Sequence, residues 1–418
     1  MSLATLPLQT GLVLAVFVIV YLGMIVGGLP RLQLDRTGVA LLGAIAIVGT
    51  GVMTPEQAAQ SIHLPTIVLL FSFMVISAQM RLGGFYDRVT RRIAALPVSP
   101  ALLLGVVIAV SALLSAVFSN DIVCLAMAPL LAEACLRRRV DPVPYLLALA
   151  CASNIGSAAT LIGNPQNMLI GEVLKLHFAD YLRGAVAPVG FSLLALWALL
   201  AWSLRGAAES AAMPAPAERR QEVAYDGWQT IKGLAVSAAL VAVFLATDWP
   251  RDVAALLGAG VLLLSRRFHS SRVMGLIDWE LLILFMGLFI VNHALALTGL
   301  TEQAMAWLVA QGLNLAEPAT LFIATLGLSN LVSNVPAVML LLPAAQQAPQ
   351  PQLGGSTLAL VSTLAGNLLI VGSIANIIVV DAARRAGVAI DWRRHARVGV
   401  PVTLASLAIT AVWLGAVG

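Results

Sequence analysis

Residues 151–170 read CASNIGSAATLIGNPQNMLI, an apolar run studded with Asn154, Gly156, Gly163, Asn164, Pro165 and Asn167. Pro165 brings no N–H and crowds the preceding turn, so the spacing predicts a helix that breaks here. Both flanks are apolar, which places the break at membrane depth. There, freed backbone groups are tolerated only when buried in protein or lining a cavity. Residues 366–379, GNLLIVGSIANIIV, carry the same device, with Gly366 and Gly372 permitting the unwinding and Asn367, Ser373 and Asn376 beside it.

The two stretches belong to a register that runs along the whole chain. Gly163 and Gly372 lie 209 positions apart, as do Asn167 and Asn376, while Asn154 and Asn367 lie 213 apart. Ser119-Asn120-Asp121 matches Ser333-Asn334-Val335, and Pro129 matches Pro343, each at a separation of 214. LLFSFM around Phe71 matches ILFMGL around Phe285 at 214, and ALLGA recurs at Gly43 and Gly258, 215 apart. Chance seldom keeps one register through five segments, so the chain reads as an internal duplication. The expected division is residues 1–204, a soluble linker over 205–232 rich in Ala, Pro and charge, and residues 233–418.

The composition sets the class. Of 418 residues, 60% are hydrophobic and 11% are charged, against about 25% charged in soluble domains. A water-soluble protein of this size could not cover its surface so sparsely, and membrane residence follows. The net charge of +4 is explained by basic cytoplasmic loops, with no nucleic-acid partner. Cys124, Cys135 and Cys151 have no CxxC spacing, which argues against a disulfide framework, a zinc site or any other metal site. No basic region precedes the first apolar segment, so that segment is expected to be a retained span.

Each half is expected to hold five spans, near 11–29, 38–52, 64–80, 145–170 and 185–204, then near 233–247, 253–265, 279–296, 357–380 and 398–417. Between the third and fourth span of each half lies a segment with a polar middle, Asn120 in one and Asn334 in the other. The second such segment, about 319–344, has arms of roughly 11–15 residues. That is about 17–22 Å of helix, short of a hydrocarbon core of about 30 Å. A re-entrant hairpin with Asn334 at its tip fits, and by repeat symmetry Asn120 tips the other. Arg81, Arg88, Arg91, Arg92 and Arg137–Arg139 flank the first hairpin, whereas Lys and Arg are absent between Arg272 and Arg384. The hairpins therefore enter from opposite faces. The resulting trace puts all but Lys175, Arg183 and Arg251 of the 24 basic residues in the cytoplasm, with both termini outside an inner (plasma) membrane. The fold expected is an all-α membrane protein of two inverted-topology repeats. Each has about five transmembrane helices, one re-entrant hairpin and one broken helix, an architecture of secondary transporters.

The paired Ser-Asn tips and the signature SNIGSAATLIGNPQN at 153–167 resemble the ion-transporter superfamily of anion and citrate permeases, NhaD-type antiporters and ArsB-type arsenite permeases. The resemblance spans nearly the whole chain. It implies substrate contacts from Ser119, Asn120, Asn154, Asn164, Asn167, Ser333, Asn334, Asn367, Ser373 and Asn376. Backbone at Gly163 and Gly372 would hold a coupling ion, and a homodimer is implied. Both tip threonines of the dicarboxylate members are absent, and Asn120-Asp121 looks more like the arsenite permeases. Asp121 beside the site would repel a dianion and is the candidate carrier of a coupling proton or cation; the alternative is a helix cap.

Other residues carry weaker signals. Cys124 and Cys151 could face a thiophilic metalloid, though buried cysteines usually pack. For His293, whose partner is Gln79, a hydrogen-bonded structural role is expected. Glu172 and Asp381 are expected at the interface, and Glu133 is expected to pair with Arg137. Small polar residues also glue membrane helices together, which is the plain reading of any one asparagine here. The function expected is secondary active transport of a small anion or oxyacid coupled to protons or sodium, without a cofactor. The alternative is a sodium/proton antiporter on the same scaffold. No P-loop or HExxH occurs, which argues against a pump or a metalloprotease, and a passive channel is the remaining rival.

Overall fold

The computed structural model describes residues 8–29, 32–205 and 224–417. Among them every regular element is helical. The first half runs α1 (Leu8–Val26), α2 (Arg36–Gly49), α3 (Pro55–Ser61), α4 (Leu64–Leu82), α5 (Phe85–Ala94), α6 (Pro100–Val117), α7 (Asn120–Arg137), α8 (Val143–Ser157), α9 (Pro165–Val173) and α10 (Phe178–Arg205). The second half repeats that order of long and short elements. It runs α11 (Gly227–Ala246), α12 (Arg251–Leu263), α13 (Ser270–Met274), α14 (Trp279–Leu297), α15 (Leu300–Ala310), α16 (Pro318–Val332), α17 (Asn334–Gln346), α18 (Pro351–Ala365), α19 (Ile374–Arg385) and α20 (Trp392–Val417).

Among the described residues, seven helices are long and apolar enough to cross a membrane: α1, α4, α6, α10, α11, α14 and α20. Both expected spans near 38–52 and 253–265 are shorter, 14 residues in α2 and 13 in α12. Both expected spans with polar breaks are divided, into α8 and α9 and into α18 and α19. The second hairpin has arms of 15 and 13 residues, as its sequence predicts. The first has two arms of 18 residues. It is longer because Ser99 caps α6 by accepting from Leu102 N with Pro100 in the first turn, and α7 continues through Pro129 to Arg137.

The expected linker is shorter than 205–232 at its far end. Asp226 accepts from Trp228 N and Gln229 N and so starts α11 at Gly227. Residues 206–223 lie outside the described set.

The halves are packed through each other. α2 lies along α14, and α4 along α12, with α1 and α11 beside them, forming a framework. The hairpins, broken helices, α10 and α20 form a core, in which α6 packs on α8, α16 on α18, α7 on α19 and α10 on α20. Contacts also sort the charged residues into two ends. At one, Arg267 pairs with Asp226, whose N–H reaches Gly83 O, while Arg138 donates to Leu96 O and Arg88 stacks on Tyr225. At the other, Arg251 donates to Leu176 O, and His177 lies near Asp180 and Asp248, with Arg183 on Asp180. Lys175 lines the same cavity as Arg251, His177 and Asp248, so the three basic residues set apart by the sequence gather around one rim.

Candidate functional site: two hairpin tips and two broken helices

Ser119 links α6 to α7, and Ser333 links α16 to α17. The chain behind the first tip is tied to the break in the same half: Asn120 N donates to Gly163 O at 3.2 Å, and Thr160 Oγ1 to Ala116 O at 2.6 Å. A Cβ at Gly163 would lie 2.4 Å from Ser157 O and 2.7 Å from Ser115 O, so only glycine permits this approach. Pro165 occupies the first turn of α9, where its missing N–H costs nothing. Asn164 caps that turn by accepting from Asn167 N. The helix stops at Ser157 and restarts at Pro165, so the proline begins the second half-helix and does not kink a continuous one.

The asparagines converge in one buried cluster. Asn120 Nδ2 donates to Asn154 Oδ1 at 3.0 Å, and Ser373 Oγ donates to the same oxygen at 2.9 Å. Asn154 Nδ2 in turn donates to Asn367 Oδ1 at 2.8 Å and Asn376 Oδ1 at 3.2 Å. Asn376 Nδ2 donates to Gly366 O and Leu369 O, spanning the second break. Asn164 donates to Ser157 Oγ and Thr363 Oγ1, and Asn167 to Thr160 O and Tyr181 OH. Asn334, with its amide turned to donate, reaches Ser362 O at 3.0 Å and Gly372 O at 3.3 Å.

This geometry divides the candidate residues. An amide offers two donors and an acceptor oxygen with two lone pairs. Asn154 uses all of them on the protein, and Asn164, Asn167 and Asn376 come close to doing so. They position the breaks. Open valences lie nearer the tips: Asn120 Oδ1, Asn367 Nδ2, Ser115 Oγ and Ser329 Oγ have no partner among the described residues. Ser119 and Asp121 are half-buried at the first tip, where the Ser119 hydroxyl makes no cap bond. Ser333 and Asn334 are half-buried at the second. Ser333 sits at φ +76°, a left-handed conformation that serine adopts at a cost, whereas Ser119 is at −53°. Gly372 is buried, and a Cβ there would meet Gly366 O at 3.0 Å.

Several residues of the cluster escape a sequence reading. Thr363 accepts from both Asn164 and Gln166, Tyr181 OH donates to Ala158 O, and His395 Nε2 lies 3.0 Å from Asn367 O. Gln166 stands inside the signature at 153–167, but nothing marks Thr363, Tyr181 or His395 locally. Cys124 and Cys151 are buried, with Cys124 Sγ 3.1 Å from Ser153 Oγ. Glu133 pairs with Arg137 as expected. Asp381 is half-buried and paired with Arg384 and Arg385. Glu172 lies at the rim with Arg251, His177 and Asp248, but its side chain is buried there and held by Arg251. His293 is exposed, and its neighbour Asn292 makes a part-buried bond, accepting from Tyr21 OH.

The comparisons with known proteins agree with this architecture. The chain is 32% identical to an uncharacterized transporter of Mycobacterium tuberculosis over 410 residues, covering 91% of this chain and 94% of that one. It is 29% identical to the silicon efflux transporter LSI3 of Oryza sativa subsp. japonica over 490 residues, covering 100% and 99%. A transporter named arsB in Dictyostelium discoideum is 23% identical, covering 90% and 86%. The crystal structure of the Alcanivorax borkumensis YdaH transporter, described as having an unusual topology, shares the fold. Its TM-score is 0.57 with 16% identity, over 98% of both chains. The pattern of the CitMHS family, described as citrate transporters, matches residues 12–365, and the chain is a membrane transporter belonging to that family.

Proposed function

We propose that this transporter is a secondary active carrier for a small oxyacid or anion of low charge, coupled to protons or sodium. One observation carries the reading. A buried cluster of amides and hydroxyls joins both broken helices and leaves open valences beside two hairpin tips. Among the described residues, its hydrogen-bonding partners include no Lys or Arg. Such a site matches hydroxyl groups better than a dianion, and Asp121 adds negative charge nearby. The names of relatives, a silicon efflux transporter and an arsB transporter, point the same way.

The two halves act as inverted repeats with tips at Asn120 and Asn334, working by alternating access. The end that bears Arg88, Arg138 and Arg267 faces the cytoplasm, and both termini lie outside the inner membrane. Asp121 carries the coupling proton or cation, and the chain needs no cofactor and performs no catalysis. Uptake into proteoliposomes tests this, using silicic acid, arsenite, phosphate and citrate under imposed proton or sodium gradients. Saturable accumulation of an oxyacid, abolished by dissipating the gradient, is expected. Non-saturable flux indifferent to gradients would instead mark a channel and overturn the proposal.

A further inference from the structure

We infer that His395 is a positioning residue of the substrate site: with Gly399 one turn on, it pins the Asn367 carbonyl and so presents that residue's open amide to the solute. His395 stands in the first turn of α20, in the run Trp392-Arg393-Arg394-His395. The three residues before it are exposed, whereas its own side chain is 2% exposed. Its Nε2 lies 3.0 Å from Asn367 O. A carbonyl can only accept, so Nε2 carries the proton, and in the neutral ring Nδ1 is then a bare acceptor. Nδ1 is buried without a partner among the described residues. Asn367 follows the end of α18 at Ala365, where the last carbonyls of a half-helix lack helical donors. Among the described residues, His395 is the one donor that reaches Asn367 O.

The approach is shaped for this contact. A Cβ at Gly399 would lie 2.4 Å from Asn367 O and 2.8 Å from His395 Nε2. Gly399 is four residues on from His395 and shares its face of α20, so the pair forms a cradle that a methyl group would fill. Asn367 is thereby held at two points: its O accepts from His395, and its Oδ1 accepts from Asn154 Nδ2 at 2.8 Å. What remains is its Nδ2, buried and unpartnered among the described residues. Two anchored acceptors on one residue leave its last donor few directions in which to point.

The first half carries a related brace. Tyr181 is the fourth residue of α10 as His395 is of α20, and it lies 214 positions earlier, the separation of the hairpin tips. Tyr181 OH donates to Ala158 O at 2.7 Å, just past the end of α8, and accepts from Asn167 Nδ2 across the break at 3.2 Å. Among the described residues, His395 makes no such bond to α19, so it braces the second break from one side. Asn154 has no amide hydrogen to spare, whereas Asn367, which His395 pins, has one.

The role of Asn367 Nδ2 rests on the proposed function, and the brace does not, so the test reads them separately. His395→Gln puts an amide N–H near the place of Nε2, and His395→Asn puts one near that of Nδ1. Gly399→Ala wedges a methyl group against the carbonyl while sparing the imidazole. Hydrogen–deuterium exchange over residues 366–373, read by mass spectrometry without solute, reports the brace. Exchange should match the natural chain in His395→Gln and be faster in His395→Asn and Gly399→Ala; equal exchange in all would overturn the inference. Half-saturation and maximal rate are then measured in proteoliposomes with arsenite and with silicic acid. The half-saturating concentration should rise about 3- to 10-fold in His395→Asn and Gly399→Ala, as for one lost hydrogen bond. Maximal rate should change little, and His395→Gln should stay near the natural value. Unchanged half-saturation in His395→Asn beside a lowered thermal midpoint would mark a purely structural residue and overturn the assignment. A natural chain that saturates with neither probe would sink the oxyacid reading and the role of Asn367 with it, while exchange still decides the brace.

Discussion

Asn154 and Asn367 hold matching places in the two halves of the chain, and the amide of the first donates to the amide oxygen of the second at 2.8 Å. The bond ties the break between α8 and α9 to the break between α18 and α19. Neither half can shift its unwound segment without the other registering it.

Asn154→Ala removes a side chain that satisfies Asn120, Asn367, Ser373 and Asn376 together. Each buried polar group left alone costs about 1–3 kcal/mol. A marked fall in thermal midpoint is expected alongside loss of transport. Asn120→Ala removes an amide whose oxygen has no partner among the described residues, so it should weaken substrate binding far more than stability. Thermal unfolding with and without substrate separates the two; equal destabilisation by both variants contradicts the division of roles.

Gly163→Ala puts a methyl group 2.4 Å from Ser157 O, where backbone cannot yield cheaply. Overpacking of this kind costs about 1–3 kcal/mol. The break should widen and the Asn120 N to Gly163 O bond should be lost. Unchanged substrate-induced thermal stabilisation in this variant would show that the close approach is dispensable.

Asp121 lies inside the first turn of α7, past the N-cap Ser119, so it does not cap the helix; Asp121→Asn keeps a polar side chain there but abolishes titration. The variant is expected to bind and exchange substrate while losing accumulation driven by a proton or cation gradient. Counterflow and gradient-driven uptake in the same proteoliposomes provide the comparison, and retained accumulation leaves Asp121 only a favourable charge in the first turn of α7.

Arg251→Ala strands the buried Glu172 carboxylate, which is 4% exposed. Breaking one partner of a buried pair costs about 3–5 kcal/mol. Replacing both, as Arg251→Met with Glu172→Met, should recover most of that stability. A double-mutant cycle on thermal unfolding measures the coupling. Additive effects would mean that the pair is not linked.

Orientation is tested by Arg394→Cys and Glu302→Cys. The basic loop should label only from the cytoplasm and Glu302→Cys only from outside. Ala215, the natural probe of the linker, lies outside the described residues. Labelling of Arg394→Cys in intact cells would reverse the topology.

The sequence exposes the duplication and both breaks because glycine, proline and asparagine act locally, and their positions survive in register. The tips are legible for the same reason. The cluster's other members are not: Thr363, Tyr181 and His395 are ordinary in their own segments and gain meaning only when α18, α10 and α20 meet α9 and Asn367. The burial of Glu172 is not legible in its own segment, because it depends on Arg251 arriving from the other half. The lengths of α6 and α7 exceed expectation because the second hairpin sets that expectation, and α6 and α7 are each longer than α16 and α17.

The pairing of α2 with α14 and of α4 with α12 bears on how the chain is made. Synthesis delivers α2 and α4 to the bilayer long before α12 and α14 exist, so the early half must wait there with its mating surfaces against lipid. Two separately expressed pieces, divided between residues 206 and 223, should therefore accumulate only when produced in the same cell, each acting as the other's assembly partner. Stable accumulation of either piece alone would show that a half completes its own framework.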